Sequence, residues 1–359
     1  MDKHRKGLTI ADVAKKAGCS VATASRVLSA SKYPVSADMR VRILEAAEKL
    51  GYADNLKKRM LVTDQNPFLG IIVPTFQNPN YLQFVSGIEK VANQEGYTAV
   101  ILNSHRKPKL ERQQINSLIQ KKIGSLLLMS VDESPDALYH YLDMGGFACL
   151  FESNFPDHPD VLNAKVNRFE AGRIATEHLL SQGHRSIAFL TTPLGHFQSR
   201  RLTLNGCRFA IEKHALPFSF ANIFMPASEA ESATGQYEFE TGYALAEKVL
   251  QHEGQYTGIV CQTDLLAYGC IAGLKAMGAY VPQNISVVGI DNIPFNNITT
   301  PTLTTVDTYS RMLAQRAAQL IINMPEDNED ILRNPLSMKP ELVVRESVSP
   351  AWRSAHWVS

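Results

Sequence analysis

The sequence of 359 residues lacks several features that mark membrane and secreted proteins. No apolar run approaches the roughly 18 residues needed to span a bilayer. The basic start, Met1–Lys6, is not followed by the hydrophobic segment of a signal peptide, so we expect a cytoplasmic protein. The five cysteines are odd in number and none stands in a C-x-x-C pair, which favours reduced, buried thiols.

The chain also lacks the short motifs of common enzyme classes. It contains no phosphate-binding P-loop, no H-E-x-x-H zinc motif, no G-x-S-x-G nucleophile elbow and no metal-ligand spacing. We therefore expect a protein that is not an enzyme and that holds no metal and no cofactor.

Net charge is close to balanced, at +1, but the charges are unevenly distributed. Residues 1–60 contain thirteen Lys and Arg against six Asp and Glu, a local charge of +7, so the other 299 residues carry −6. A basic module joined to an acidic body indicates a polyanionic partner for that module, unless its charges merely form a solvated face.

Three short helices are predicted in this basic module. Apolar residues at helical spacing favour helices over Ile10–Ala17, Val21–Leu28 and Ala37–Leu50. A residue that can cap the helix precedes each of them, namely Thr9, Ser20 and Ser36. The third helix is expected to bury Ile43, Leu44, Ala47 and Leu50. Two short helices joined by a turn with a glycine are typical of a helix-turn-helix.

The second helix has the chemistry of a helix that contacts DNA. Its N-terminus directs partial positive charge and free N–H groups outward, as phosphate binding requires. Arg26 can donate two hydrogen bonds to a guanine edge or bind a phosphate, and the small apolar Val21 and Ala22 suit thymine methyl groups. A three-helix bundle with no role in DNA binding is the alternative.

The segment Leu8–Leu28, followed by Pro34-Val-Ser36 and Glu48-Lys-Leu-Gly-Tyr52, resembles the headpiece of the LacI/GalR family of bacterial transcriptional repressors. The resemblance continues through almost the whole chain, to about residue 349. In the first segment Ala24 departs conservatively from the usual Val. The resemblance implies a regulator whose headpiece binds DNA and whose core senses a small molecule.

In this family a short hinge helix follows the headpiece and wedges a leucine into the minor groove, which kinks the DNA. Of the pattern Tyr-x-Pro-Asn-x-x-Ala-Arg-x-Leu, residues 52–61 keep Asn55, Arg59 and Leu61, whereas Asp54 replaces Pro and Lys58 replaces Ala. Lys58 either crowds its copy in a dimer or binds phosphate. The DNA-binding residues that we predict are Thr9, Ser20, Val21, Ala22, Thr23, Ser25, Arg26, Tyr33, Asn55, Arg59 and Leu61.

From Phe68 onward, apolar strands alternate with amphipathic helices. A strand over Phe68–Pro74 is followed by a helix over Tyr81–Glu95, and a second series of such units starts near Arg168. This alternation predicts two doubly wound parallel sheets with ligands at the carboxyl ends of their strands. The fold class is therefore an all-α helix-turn-helix headpiece plus a two-lobed α/β core, which in the LacI/GalR family resembles a periplasmic binding protein.

The resemblance also implies the domain boundaries. We expect a headpiece at 1–61 with its hinge at about 52–61, a core at 67–349 and a tail at 350–359. Three crossings divide the core into an N-lobe (67–166 and 307–333) and a C-lobe (167–306 and 334–349), and Arg345–Val348 resembles the last core strand. The tail lacks the leucine heptads of a tetramerising helix, so we expect a homodimer on pseudo-palindromic double-stranded operator DNA.

Loops that follow the strands should line the cleft between the lobes. Their amides, carboxylates and aromatic rings suit a sugar better than a hydrophobic ligand. Asp291 is the first candidate, because the matching aspartate of the family holds polar groups of the effector. The effector-binding residues that we predict are Asn80, Tyr81, Glu152, His196, Gln198, Arg200, Arg201, Tyr237, Asp264 and Asp291.

Several of these residues also have a structural explanation. Asp264 can cap a helix that begins at Leu265, Asn80 can belong to an Asn-Pro-Asn turn, and His196 can be a solvated loop histidine. An arginine that enters the cleft would favour a phosphorylated sugar or a carboxylate ligand.

Together these observations predict a repressor whose operator affinity is controlled by a sugar or sugar phosphate bound between the lobes. A purine or nucleoside sensor of the same family is the alternative. A sugar receptor without a regulatory role would need a secretion signal and no helix-turn-helix. A glycosidase would need two carboxylates at a defined separation, which the sequence does not set for Glu152 and Asp291. Induction and corepression both stay open.

Overall fold

The protein is described by a computed structural model that covers residues 10–28, 35–50, 66–152, 155, 158, 160–195, 197–228, 236–252, 256–324, 332 and 334–351. The predicted hinge at 52–61 and most of the predicted tail lie outside these residues. In the part of the chain that is described, no helix is both long and apolar enough to cross a membrane.

The headpiece consists of three helices at the predicted positions. These are α1 (Ile10–Ala17), α2 (Val21–Leu28) and α3 (Ala37–Lys49). Val13, Ala24 and Ile43 are fully buried in the apolar core that they share. The prediction that Leu44 faces inward was wrong, since it is 50% exposed. Ile43, Ala46 and Ala47 occupy the inner face of α3 instead.

The N-lobe contains a six-stranded parallel sheet with the strand order β11-β5-β4-β3-β1-β2. Its strands are β1 (Phe68–Val73), β2 (Thr98–Asn103), β3 (Ser125–Leu128), β4 (Phe147–Phe151), β5 (Val161–Val166) and β11 (Leu336–Met338). Its helices are α4 (Pro79–Gln94), α5 (Pro108–Gln120), α6 (Asp136–Asp143) and α11 (Ser310–Ile322). α4 and α11 cover one face of the sheet, and α5 and α6 cover the other.

The C-lobe repeats this plan with the strand order β12-β10-β9-β8-β6-β7. Its strands are β6 (Ile187–Leu190), β7 (Ile223–Phe224), β8 (Gly258–Cys261), β9 (Ser286–Asp291), β10 (Thr305–Asp307) and β12 (Glu341–Val343). Its helices are α7 (Arg168–Ser181), α8 (Gln198–Lys213), α9 (Tyr237–Gln251) and α10 (Asp264–Ala276), with short 3-10 turns at Phe220–Asn222 and Pro294–Asn297. Only β12, among the described strands, pairs antiparallel.

The chain crosses between the lobes three times. The first crossing follows β5 at Asn167, and the second lies between β10 and α11. The third lies between Met338 and Glu341 and not near residue 334, because Leu336–Met338 pairs in parallel with β5 of the N-lobe.

Arg345–Val348, which we expected to be the last core strand, is not a strand. Side-chain hydrogen bonds replace the backbone ladder there. The Ser347 hydroxyl accepts from the Thr304 N–H at 2.9 Å and donates to the Val287 carbonyl at 2.6 Å. The sheet therefore ends at Val343, and the following segment is held against its edge by serine and threonine hydroxyls.

Candidate functional site

The exposed N-terminus of α2 is the part of the predicted DNA surface that is described. The Ser20 hydroxyl caps α2 by accepting from the Thr23 N–H at 3.1 Å, and the Ser20 and Thr23 hydroxyls are 2.8 Å apart. Val21 projects an apolar side chain that is 47% exposed. Ala22, Ser25 and Arg26 lie on α2, but their side chains are not described. Thr9, Tyr33, Asn55, Arg59 and Leu61 fall outside the described residues.

A second site is a cavity of about 120 Å³ between the two lobes. It lies at the carboxyl ends of the parallel strands of both sheets, where doubly wound folds bind ligands. Charged, amide and aromatic side chains from both lobes line it. They include Asn78, Asn80, Tyr81, Phe84, Arg106, Phe151, Glu152, Arg168, Phe197, Arg200, Glu238 and Asp291.

Arg168 joins the two lobes from inside this cavity. It is the first residue of α7, directly after the first crossing. Its Nε donates to both oxygens of Glu152, at 3.0 and 2.8 Å, and its NH1 donates to Asp291 Oδ1 at 3.1 Å. Glu152 follows β4 of the N-lobe, whereas Asp291 ends β9 of the C-lobe. One guanidinium group therefore holds together carboxyl groups from both sheets.

The electrostatics of this bridge depend on its burial. The side chains of Arg168 and Asp291 are only 11% and 2% exposed. Burial raises the pKa of Asp291 to about 8, although the Arg168 guanidinium opposes the shift. Burial alone would lower the pKa of Arg168, but Glu152 and Asp291 raise it, so Arg168 stays charged. Asp291 is therefore the member of the bridge whose charge responds to pH.

The backbone around Asp291 is strained and firmly held. Asp291 and Asn292 have φ values of 124° and 53°, a region that residues with a side chain rarely adopt. The buried Asp264 carboxylate accepts from the Ile293 N–H at 2.9 Å, from Asn296 Nδ2 at 2.8 Å and from the Thr305 hydroxyl at 2.5 Å. These bonds fix the turn that points Asp291 into the cavity.

Asp264, which we predicted as an effector contact, does not line the cavity. Thr263, and not Asp264, caps α10 by accepting from the Leu266 N–H at 3.2 Å. Asp264 instead supports the Asp291 turn from behind. A side chain at Gly289 would collide with the Asp264 carboxylate, so the glycine makes room for this support.

A second ion pair bridges the lobes at the wall of the cavity. Arg106, in the loop after β2, donates to Glu238 Oε1 at the start of α9. Asn78 Nδ2 donates to the same oxygen at 3.4 Å. His105 and Arg106 both adopt positive φ, at 50° and 56°, and the Arg106 N–H donates to the Pro74 carbonyl at 2.9 Å. This turn directs the Arg106 side chain across the cleft.

Asn80 leaves one acceptor for a ligand. Its side chain lines the cavity and the residue is only 6% exposed. Among the described residues, no donor reaches its Oδ1 oxygen. A buried acceptor without a donor costs about 1–3 kcal/mol, which a bound hydroxyl or N–H group would offset. Next to it, burial raises the pKa of Tyr81, which is therefore a neutral hydroxyl at physiological pH.

Half of the predicted effector residues line the cavity. These are Asn80, Tyr81, Glu152, Arg200 and Asp291. Arg200 donates to the Pro193 carbonyl and stacks 3.9 Å from the Phe197 ring centroid. Gln198, Arg201 and Tyr237 are not part of the wall: Arg201 points to the Gly195 carbonyl, and Glu238 takes the position expected of Tyr237. His196 lies outside the described residues.

The prediction missed Arg106, Arg168 and Glu238, which carry the bridges between the lobes. Arg168 had a usable signal, since it stands directly after the first crossing, where a side chain can reach both lobes. The sequence gives no such signal for Glu238 or Arg106, because each is one polar residue among several in its loop or helix turn.

Two known families match this chain. Residues 9–55 match the bacterial regulatory proteins of the lacI family, and residues 176–348 match a periplasmic binding protein-like domain. The first match covers the three-helix headpiece, and the second covers most of the C-lobe with the returning segments of the core.

The similarity to known proteins extends over nearly the whole chain. The chain is 27% identical over 340 residues to the HTH-type transcriptional repressor PurR of Mannheimia succiniciproducens, covering 95% of this chain and 98% of the relative. It is 28% identical over 343 residues to PurR of Pasteurella multocida, with the same coverage.

Solved structures share the fold. A LacI family regulator from Enterococcus faecium with bound ribose superposes with a TM-score of 0.66, at 21% identity, over 79% of this chain and 99% of that chain. The complex of the regulator CelR with cellobiose superposes with a TM-score of 0.66, at 22% identity, over 95% and 99% of the two chains.

Proposed function

Because the chain belongs to the LacI family of bacterial regulatory proteins, we propose that it is a repressor whose affinity for operator DNA is set by a small molecule in the cavity between its lobes. The observation that carries the ligand half of this proposal is the buried, donor-less Asn80 Oδ1 in the cavity wall. If no ligand bound in this cavity, such an oxygen would only lower the stability of the folded protein.

The DNA half rests on the headpiece. α2 presents a capped N-terminus and an exposed Val21, and residues 1–60 carry the positive charge of the chain. Helix N-termini and small apolar side chains suit the phosphates and base edges of a major groove. We place α2 in the major groove, with Arg26 as the side chain that distinguishes operator sequences.

The cavity fits a small, polar and uncharged ligand. Two of the three guanidinium groups in its wall are already bound to carboxyl groups, Arg168 to Glu152 and Asp291 and Arg106 to Glu238. Its volume, about 120 Å³, is below the range of drug-sized pockets, which points to a single-ring metabolite. Carboxylates and amides pair well with vicinal hydroxyls, and Tyr81 and Phe151 offer ring faces. A monosaccharide satisfies these features. A phosphate group would instead have to compete with the carboxyl groups that already bind Arg106 and Arg168.

A purine base is the second candidate. The flat rings of Phe84, Phe151 and Phe197 line the cavity and suit a planar base. The relatives that are 27–28% identical over nearly the whole chain carry the name PurR repressor. A purine would donate an N–H group to Asn80 Oδ1 where a sugar would donate a hydroxyl.

We further propose that the protein acts as a homodimer through the C-lobe. An apolar groove there is lined by Phe239, Tyr268, Ile271, Phe295 and Pro301. Phe295 and Ile298 beside it are 48% and 76% exposed, which is unusual for apolar side chains of this size. Two copies would present two copies of α2 to a two-fold operator.

The test is a binding screen with the full-length protein. Thermal unfolding is measured with D-ribose, D-xylose, D-glucose, adenine and hypoxanthine, since a ligand that binds the folded state raises the midpoint. We expect one chemical class to raise it, and the same compound to change affinity for an operator selected from random duplexes. No shift with any of these compounds, together with unchanged operator affinity, would contradict the proposal.

A further inference from the structure

A groove of about 420 Å³ lies between the lobes, next to the cavity of about 120 Å³. It is lined by Pro108, Asp132, Glu133, Pro193 and Gly195, together with three residues that also line the cavity. Those three are Arg106, Val131 and Phe197. The two spaces are therefore neighbours, and these shared side chains stand at their boundary.

Arg106 is the side chain of this boundary that spans the cleft. It leaves the loop after β2 in the N-lobe and reaches Glu238 at the start of α9 in the C-lobe. The pair is largely buried, with 22% and 10% of the two side chains exposed. The apolar side chains of Val131 and Phe197 lie at the same boundary.

The backbone conformation that places Arg106 here is strained. Two consecutive non-glycine residues, His105 and Arg106, adopt positive φ. The Asn103 side chain accepts from the His105 N–H at 2.8 Å, and Gln114 Nε2 donates to the Asn103 carbonyl at 2.8 Å. Strained backbone that neighbouring groups hold in place is typical of functional positions.

Resting on the proposed function, we propose that Arg106 and Glu238 determine the size of the effector. Their ion pair separates the cavity, which is the inner space, from the groove, which is the outer one. A single-ring ligand therefore fits in the cavity, and a two-ring ligand is excluded by size. Shortening Arg106 joins the two spaces. The outer groove then offers the faces of Pro108, Pro193 and Phe197 and the Glu133 carboxylate to a second ring.

The experiment compares matched one-ring and two-ring probes by isothermal titration calorimetry on the full-length protein. The probes are D-glucose with cellobiose, and adenine with adenosine. The variants are Arg106→Ala, Arg106→Gly, which accepts the positive φ without strain, and Glu238→Gln, which keeps the size of the wall but removes its charge.

We expect the wild type to bind the one-ring member of one pair and to bind its two-ring partner at least about tenfold more weakly, a ratio of the size that steric selection achieves. Arg106→Ala and Arg106→Gly should bring the two affinities to within about threefold of each other. Glu238→Gln should retain the preference for the one-ring member, since the arginine side chain still fills the boundary.

Two results would overturn the inference. One is a wild type that binds the two-ring probe as tightly as the one-ring probe. The other is a preference that survives both Arg106 variants while their thermal unfolding matches the wild type. In either case the cavity still binds ligand, so the proposed function stands. Failure of these probes and of every compound in the thermal screen to bind wild type would instead refute the proposed function, and the inference with it.

Discussion

At the scale of single residues, the cavity is organised by three arginines, two of which, Arg168 and Arg106, form ion pairs with the opposite lobe. Arg168 pairs with Glu152 and Asp291, Arg106 pairs with Glu238, and Arg200 stacks on Phe197. Charged groups that are buried away from water are stable only when they form ion pairs or hydrogen bonds with one another. A hydroxyl or N–H group of a ligand therefore needs an acceptor in the cavity wall that has no hydrogen-bond donor yet. Asn80 Oδ1 is such an acceptor.

The substitution Asn80→Ala tests this directly. It removes the buried acceptor that lacks a donor, so ligand affinity should fall by about tenfold, the equivalent of one buried hydrogen bond. The free energy of unfolding without ligand should stay the same or rise, because an unsatisfied polar group is removed. Calorimetry and urea unfolding measure the two quantities. A parallel loss of stability and affinity would show a structural role in place of a ligand contact.

The pH dependence of stability tests the environment of Asp291. Its pKa in the folded protein is raised from 3.8 to about 8, with Arg168, Asp264 and Glu152 as its charged neighbours. A carboxyl group whose pKa is raised by folding destabilises the folded state as pH rises from the unfolded to the folded value. Asp291→Asn has no such group, so its stability relative to wild type should improve between pH 5 and pH 8, measured by urea unfolding. A difference that is constant across this range would contradict the raised pKa.

How far the sequence predicted these residues depends on what places them. Glu152 and Asp291 follow strands, and the ends of parallel strands meet at one edge, so their position could be predicted. Tyr237 and Glu238 differ by one position in a helix, and the sequence did not show which of them faces the cleft. The partners of Arg106 and Arg168 lie in the opposite lobe, so only the three-dimensional arrangement of the lobes brings them together.

At the scale of elements, the starts of the headpiece helices were the most local and the best predicted features. Ser20 caps α2 and Ser36 stands at the start of α3, where its hydroxyl accepts from the Met39 N–H at 3.4 Å. α2 is the predicted recognition helix, whereas α3 only supports it. The two serines therefore allow a matched comparison.

Ser20→Ala and Ser36→Ala should each lower the stability of one helix by about 1 kcal/mol. Because α2 meets DNA in our account, Ser20→Ala should weaken operator binding several-fold more than Ser36→Ala. Fluorescence anisotropy with a labelled operator duplex measures this difference. Equal losses for the two variants would mean that α2 has no special position at the DNA.

Close packing of helix pairs depends on glycine in the C-lobe. A side chain at Gly206 of α8 would collide with the Phe169 carbonyl of α7. Gly206→Ala should therefore separate these helices and destabilise the protein by about 1–3 kcal/mol, as overpacking does. The neighbouring Asn205, which is exposed on the same helix, provides the control, and Asn205→Ala should change stability little. Similar urea midpoints for both variants would argue against the close contact.

At the scale of the whole molecule, the alternation of strands and helices predicted both sheets, and the resemblance to the LacI/GalR family implied the three crossings. The resemblance placed the third crossing a few residues too early, because Leu336–Met338 is a short strand whose pairing with β5 has no periodic signal. The resemblance also implied a strand at Arg345–Val348, where hydroxyl groups replace backbone pairing. Short segments at sheet edges are set by contacts that are distant in sequence.

The two lobes are connected by ion pairs from residues that also line the cavity, so ligand binding and lobe closure use the same side chains. A ligand that prefers one arrangement of the lobes shifts the population toward it by its difference in affinity. The headpieces of a dimer would be moved by that shift. In the function that we propose, Asp291 and Arg168 would thus affect operator binding without any direct contact between cavity and DNA.

The most direct test is a titration of operator binding with the ligand found in the screen. Anisotropy of the labelled operator duplex is followed with wild type and with Asn80→Ala. Our account predicts that saturating ligand changes the operator affinity of wild type about fivefold or more, in either direction. It predicts that Asn80→Ala needs about tenfold more ligand for the same change. Operator affinity that does not respond to saturating ligand, or a response at the same ligand concentration in both proteins, would contradict it.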